Sequence, residues 1–186
     1  MDALELLLGR SSAVKLQEPG PTELELDTIF RSALRAPDNG KLRPWFFVVI
    51  QRDRRETFGN MMADMLQARR PDSPPEALNR ERQKALRAPV IIVTVARVRT
   101  GTKIPEVEQI VSAGAAAQNI MLAAHALGYG AMWRTGQGVY DPNVKSALGL
   151  QPTDTITGLI YLGTRQGGPV NIEPPVPSDF VTTWSM

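Results

Sequence analysis

Apolar positions are spaced along the chain in two ways, and each spacing is typical of one kind of secondary structure. Helical spacing and end signals predict helices over residues 2–8, 22–35, 54–69, 76–86, 107–127 and 142–148. Short apolar runs predict buried strands over residues 45–50 and 89–95, a third strand or strand-like loop over residues 129–135, and a fourth strand over residues 156–162. Because the two kinds of element alternate without a linker or an internal repeat, the sequence predicts one mixed domain over residues 1–186.

Capping residues locate several helix ends. Asp2 stands where the N-cap of the first helix is expected, and Thr22 and Glu25 have the spacing of a capping box. Pro37 disfavours helical geometry in the residue before it, so the second helix is expected to end near Arg35.

The longest predicted helix contains a run of small residues, 112–117, which would let another helix or backbone approach closely. Gly114 lies inside this run and costs the helix about 1 kcal/mol relative to alanine. Close packing against that position is the expected compensation.

Three segments read as loops or arms instead of core elements. Residues 10–21 and the proline-rich stretch 71–75 are expected to be loops, the second of them exposed. After Gly167 the chain is again rich in proline, yet residues 180–184 are apolar and strand-like. An apolar terminal arm of this kind needs a surface to pack on, and a partner subunit is the candidate.

Composition excludes several kinds of chemistry. The chain has no cysteine and one histidine, His125, which excludes disulfides, thiolate nucleophiles and multi-histidine metal sites. A net charge of +2 does not favour nucleic-acid binding, and the basic residues between Arg80 and Arg87 fit a solvated helix face. No apolar run is long enough to span a bilayer, and acids stand where a signal peptide carries positive charge, so we expect a cytoplasmic protein.

Three polar segments could carry function. Arg10, Ser11 and Ser12, followed by Lys15, form a basic hydroxyl-containing loop suited to a phosphate; the alternative is an ordinary solvated loop. Residues 35–45 contain two prolines and a glycine and lead into a strand. This segment is either a rigid loop that contacts a ligand or an ordinary connection between a helix and a strand.

The third segment, residues 128–136, combines three glycines with Trp133 and Arg134. Glycine permits close approach of the backbone to a flat ligand, while the indole and the guanidinium offer stacking and a positive charge. The alternative is the end of a helix followed by a strand.

Taken together and in this order, the motifs resemble the FMN-dependent nitroreductase family, most closely its compact YdjA-like branch of NAD(P)H nitroreductases. The likeness covers nearly the whole chain. It is carried by Met1–Leu7, Arg35–Asp38, Pro44-Trp45, Trp133-Arg134 and Tyr161–Thr164.

The resemblance implies an α+β fold of three layers, α/β/α, in which helices flank a mixed, mostly antiparallel sheet. It also implies an intertwined homodimer with an exchanged C-terminal arm, in which each FMN is shared between subunits. By the same resemblance the cofactor-binding residues are Arg10, Ser11 and Ser12 for the phosphate, Arg35 and Asn39 from the other subunit, and Trp133, Arg134 and Thr135 beside the flavin.

The chain departs from the family pattern at the phosphate end. Ser11 and Val14 stand where many members carry basic residues, and no basic residue follows Arg165. Either one phosphate-pairing charge is absent or Lys15 replaces it.

The implied reaction is hydride transfer from NAD(P)H to FMN and then electron transfer to a nitroaromatic or quinone-type acceptor, with ping-pong kinetics. It needs no catalytic side chain of the protein, and His125 is expected to be structural or at the surface. The alternatives are other FMN chemistry on the same scaffold, such as ene reduction, dehalogenation or flavin fragmentation, and a flavin-binding protein without turnover.

Overall fold

The computed structural model describes residues 1–168 and 173–185. The six helices are α1 (Ala3–Gly9), α2 (Glu23–Ala33), α3 (Arg54–Arg69), α4 (Pro75–Lys84), α5 (Glu106–Ala126) and α6 (Pro142–Ala147). The five strands are β1 (Leu16–Gln17), β2 (Trp45–Gln51), β3 (Val90–Ala96), β4 (Gly130–Arg134) and β5 (Thr155–Arg165). Each predicted helix and strand is therefore present, with ends that differ by a few residues at most.

Local hydrogen bonds explain where the first two helices begin. The Asp2 carboxylate accepts from the backbone N–H groups of Leu4 and Glu5, and the Glu5 carboxylate accepts from the N–H of Asp2 at 2.9 Å. Thr22 and Glu25 cap α2 in the same reciprocal way. Both predicted caps are confirmed. Each cap needs only two side chains three residues apart, which satisfy the free backbone N–H groups at the start of the helix.

The sheet is built from antiparallel pairs. Strand β5 pairs with β3 along one edge and with β4 and β1 along the other, and β3 pairs in turn with β2. Each pairing among the described residues is antiparallel, so the expected mixed sheet is corrected. Strand β1 lies in a segment expected to be loop, and it forms because Leu16 and Gln17 pair with Arg165 and Thr164.

Helices cover both faces of the sheet, as the three-layer prediction requires. On one face, β3 and β5 pack against apolar residues of α3 and α6, among them Phe58 and Met62, and against Ala85 and Ala88, which follow α4. On the other face they pack against α2 and α5, with Ile29, Ile120 and Ile160 fully buried. Because neighbouring residues of a strand point to opposite faces, β5 serves both layers.

Three expectations need correction within a single chain. Strand β2 is not buried but forms an edge of the sheet, and Ile50 is its only buried residue. Residues 181–185 form no strand, and Phe180 and Trp184 are 75% and 80% exposed. A Cβ built at Gly114 would meet nothing within 4 Å, so close packing at Gly114 is not supplied by this chain itself.

Among the described residues, no helix is both long and apolar enough to cross a membrane.

Candidate functional site

Two arginines, Arg10 and Arg165, lie at the loop that follows α1. The Arg165 side chain donates to the Ser11 backbone oxygen at 2.6 Å and to its hydroxyl at 3.3 Å. The Nη1 atom of Arg10 is buried and has no hydrogen-bond partner within the described residues. Neither arginine has a carboxylate partner within 4 Å there. Because a buried, unpaired guanidinium nitrogen is unfavourable without an acceptor, this corner is suited to an anion.

Backbone contacts hold the loop against the sheet. The Ala13 N–H donates to the Ala131 carbonyl at 2.9 Å, and the Gln166 N–H donates to the Lys15 carbonyl at 3.1 Å. A Cβ at Gly130 would lie 2.7 Å from Leu16 and 3.0 Å from Ala13. Glycine at the start of β4 thus allows the loop to approach this closely, which gives the Gly-Tyr-Gly segment a specific packing role.

A groove beside this loop adjoins a second cavity. Its first part, about 440 Å³, lies between Val14, Lys15 and Met132. The second part, also about 440 Å³, is lined by Thr135 and by apolar residues of α3 and β5. Arg87 and Arg134 line both parts, so the two form one continuous depression.

The second cavity carries excess positive charge. Lys84 is paired with Glu81, and Arg69 with Asp141 at 2.7 Å, which leaves two of the cavity arginines, Arg87 and Arg134, without a carboxylate partner within 4 Å in the described part of the chain. Lys84 and Arg87 belong to the basic cluster assigned above to a solvated helix face. Both residues keep contact with solvent, as that interpretation requires, and in addition they line the cavity.

The buried hydroxyl of Tyr161 also lines the cavity. Burial raises the pKa of Tyr161 above its ordinary value, with smaller and opposing contributions from nearby charges that include Arg87 and Glu81. The hydroxyl is therefore neutral at physiological pH, and it is available as a hydrogen-bond donor to a bound molecule.

Trp133 lies on the opposite face of the sheet from this cavity. Its indole packs with the α2 and α5 layer, and its Nε1 donates to the Thr157 carbonyl at 3.2 Å. The alternation of side chains along β4 causes this, since Met132 points to the layer that contains the cavity. Within one chain, the Trp133 indole therefore offers no stacking surface to this cavity.

Substituting alanine for Gly158 is expected to displace this indole. A Cβ at Gly158 would lie 1.9 Å from Trp133 Nε1, too close for any contact, so the ring must move and lose its bond to Thr157. We expect the free energy of unfolding in urea to fall by about 1–3 kcal/mol, the usual effect of overpacking, together with a change in tryptophan emission. Gly168→Ala is the control, because its Cβ would meet nothing within 4 Å. Equal stability of both variants would contradict the packing described for Trp133.

Arg35 and Asn39 lie apart from the cavity. Both are exposed, and the Asn39 amide donates to the Glu108 carboxylate at 2.6 Å. Asn39 borders a shallow apolar groove of about 280 Å³ with Val107 and Val111. The structure therefore separates Arg35 and Asn39 from Arg134 and Thr135, which line the cavity. Arg10, Ser11 and Ser12 lie on the loop whose later residues, Val14 and Lys15, line the groove.

Sequence reasoning missed three residues that the geometry adds, namely Lys84, Arg87 and Arg165. Arg165 ends the last strand, and its position beside Ser11 follows from the pairing of β1 with β5. Arg165 supplies a positive charge at the loop in which Ser11 and Val14 replace the basic residues of many family members. Lys15 is exposed and lines the groove, so both basic residues flank the loop.

The single histidine lies at the end of α5 beside this loop. Burial is the main reason that the pKa of His125 is lowered from its ordinary value, and the positive charges of Arg165 and Arg10 lower that pKa further. The imidazole is therefore neutral at physiological pH.

The fold and the arrangement of the site define an α+β protein of a known class. Residues 8–164 match the family described as "Nitroreductase family", and the chain belongs to that family. It is 41% identical over 98% of its length to YdjA of Escherichia coli strain K12, described as a putative NAD(P)H nitroreductase, and covers 99% of that protein.

Solved structures agree on the fold. A nitroreductase-like family protein from Bacillus cereus superposes with a TM-score of 0.83 at 19% identity, over 99% of this chain and 96% of the other. A nitroreductase from Desulfovibrio desulfuricans, solved in complex with FMN, gives 0.75 at 23% identity, over 98% and 96%.

Proposed function

We propose that the depression beside the α1 loop binds FMN, with the phosphate at Arg10, Ser11 and Ser12 and with Arg165 as an additional partner. The observation that carries this proposal is the buried, unpartnered Nη1 of Arg10 beside a second guanidinium. A phosphomonoester brings about two negative charges and three acceptor oxygens. It would provide the acceptor that the Nη1 donor of Arg10 does not have within the described residues.

The isoalloxazine ring fits the continuation of the groove past Arg134 and Thr135. The walls there are partly apolar, from Met62 and Leu159, and the unpaired cations lie along the same path. That a structurally similar nitroreductase was solved with FMN supports the proposal. Lys84 and Tyr161 are then the donors positioned along the ring.

A second subunit is part of this proposal. Arg35 and Asn39 are exposed and remote from the cavity of their own chain, as expected of residues that serve the partner's flavin. The apolar side chains of Phe180 and Trp184 are exposed, and Val107 and Val111 of α5 are more than 60% exposed. Among the described residues, the outer edge of strand β2 pairs with no other strand. A homodimer with an exchanged arm would cover these surfaces.

When bound, FMN would supply the redox chemistry, taking hydride from NAD(P)H and passing electrons to a nitroaromatic or quinone-type acceptor in a ping-pong scheme. The protein's own residues bind the phosphate, border the ring and place positive charge beside it, which favours negative charge developing there. No side chain is assigned as a catalytic nucleophile or base.

The test of this proposal is spectroscopic. The purified full chain is expected to be yellow, to release FMN on denaturation, to bleach anaerobically with NADH or NADPH, and to regain colour with a nitroaromatic or a quinone. A protein that takes up no added FMN would refute the flavin assignment. Bleaching without reoxidation by either acceptor would favour other FMN chemistry on this scaffold, and failure to bleach would favour flavin binding without turnover.

A further inference from the structure

The second cavity holds more positive charge than the proposed flavin site explains. Its described lining contains one carboxylate, Glu81, and four basic side chains, namely Arg69, Lys84, Arg87 and Arg134. Glu81 pairs with Lys84, and Arg69 pairs with Asp141 at 2.7 Å. Arg87 and Arg134 have no carboxylate within 4 Å in the described part of the chain. Two positive charges at this cavity therefore remain for a bound anion.

Arg87 is the better placed of these two arginines to meet a mobile ligand. The Arg134 side chain is partly held, because its Nε donates to the sulfur of Met132 at 3.1 Å. Arg87 follows α4, is exposed, and lines both the groove and the second cavity. Its guanidinium can therefore change rotamer towards a ligand without breaking an ion pair.

Bound FMN would leave these charges uncompensated while its ring is oxidised. In the proposed site the phosphate lies at the α1 loop, where Arg10 and Arg165 are its partners. The oxidised isoalloxazine ring carries no net charge. Unpaired cations in a partly closed cavity attract anions more strongly than the same cations do in open water. The lining of the second cavity thus favours a second bound molecule that is negatively charged.

The remaining lining is suited to an aromatic group. Phe58, Met62, Val139 and Leu159 are buried, and they line the second cavity but not the groove. An aromatic ring is stabilised when it leaves water for such a surface, whereas a carboxylate is stabilised only beside donors or cations. The cavity combines both features, because apolar side chains and unpaired arginines line the same space.

We propose that the electron acceptors of this site are aromatic anions, and that Arg87 selects them by pairing with their carboxylate. The simplest such acceptor is a nitrobenzoate. One NAD(P)H and one proton convert its nitro group into a nitroso group and water, with NAD(P)⁺ as the oxidised product, and the carboxylate is unchanged. The inference rests on the proposed FMN site and names the class of acceptor for it.

A matched pair of acceptors tests the proposal in the FMN-loaded full chain. Para-nitrobenzoate and para-nitrobenzamide have nearly the same shape, but only the first is charged. Because the two differ in intrinsic reducibility, the quantity measured is the change that Arg87→Gln causes in the ratio of their kcat/KM values. We expect the ratio of benzoate to benzamide to fall roughly three- to tenfold, since a charge-assisted contact is lost at a solvent-exposed arginine. Incomplete flavin loading affects both acceptors equally and cancels in the ratio.

Arg80→Gln is the control variant. It removes the same charge from α4, but Arg80 is exposed and does not line the cavity, so the ratio should stay that of the wild type. An unchanged ratio in Arg87→Gln, or an equal fall in both variants, would overturn the inference while leaving the flavin site intact. A fall in kcat/KM confined to NAD(P)H would also overturn it, because Arg87 would then serve the phosphates of the nicotinamide cofactor. A chain that takes up no FMN would overturn the proposed function and the inference together.

A binding measurement gives a second result that does not depend on turnover. Benzoate and benzamide have no nitro group to reduce, and each should perturb the visible absorption of the oxidised flavoprotein when it binds beside the ring. We expect the dissociation constant of benzoate to rise in Arg87→Gln and at high salt, and that of benzamide to respond to neither. Equal benzoate affinity in wild type and Arg87→Gln would overturn the pairing of Arg87 with the carboxylate.

Discussion

Replacement of Arg10 by alanine is expected to yield a folded protein that no longer retains FMN. The guanidinium would contribute charge-assisted hydrogen bonds to the phosphate, worth about 1.5–3 kcal/mol, so the dissociation constant should rise roughly 10- to 100-fold. Because Arg10 Nη1 is buried without a partner in the flavin-free chain, its removal should not lower the melting temperature of that form. Flavin fluorescence titration and differential scanning calorimetry measure the two effects.

Two controls make this experiment specific to the phosphate. Arg31→Ala removes an arginine whose side chain is 79% exposed and paired with Asp27, so FMN affinity should not change. Riboflavin should bind wild type and Arg10→Ala equally, whereas Arg165→Gln should weaken FMN in the same direction as Arg10→Ala. An unchanged dissociation constant for FMN in Arg10→Ala would show that the phosphate lies elsewhere.

Removal of the C-terminal arm is expected to dissociate the dimer and to release flavin. Residues 173–185 are exposed in the single chain, so a protein ending at Gly168 should retain its core. Burial of one large apolar side chain in an interface contributes about 1.5–3 kcal/mol, and a two-fold dimer contains each contact twice. Trp184→Ser alone should therefore weaken dimerisation by about 3–6 kcal/mol, or roughly two to four orders of magnitude.

Sedimentation equilibrium across a range of protein concentrations gives the dimer constant. Glu173→Gln is the matched control, because it changes an exposed polar side chain on the same arm. Loss of the dimer should be accompanied by loss of FMN, since Arg35 and Asn39 would then contact no flavin. A truncated chain that stays dimeric would refute the arm exchange, and a monomer that holds FMN with unchanged affinity would refute the shared site.

The predictions that succeeded rest on local physics. Helix α3 was predicted over 54–69 and spans Arg54–Arg69, and the caps at Asp2 and Thr22 depend on residues three positions apart. Strand β3 is buried on both faces, as its continuous apolar run indicates. Such features depend only on residues close together in the sequence, so one amino-acid sequence is enough to predict them.

The predictions that failed depend on distant partners. The two-residue strand β1 exists only because β5, almost 150 residues later, pairs with it. The same pairing places Arg165 beside Ser11, and the tertiary fold brings Lys84 and Arg87 to the cavity that Arg134 also lines. The alternation of side chains along a strand puts Trp133 and Met132 on opposite faces of the sheet, and this much follows from the sequence. Which of the two faces holds the cavity is decided by the tertiary fold.

The sequence by itself therefore determined the element types, the capping residues, the absence of cysteine chemistry and the basic hydroxyl loop suited to a phosphate. Only the tertiary structure decided that Arg165 contacts Ser11 in that loop and that Asn39 lies outside the cavity. The physical reason is the range of the interactions. Capping and periodicity act over a few residues, whereas a binding site is assembled by strand pairing and helix packing between segments far apart in the chain.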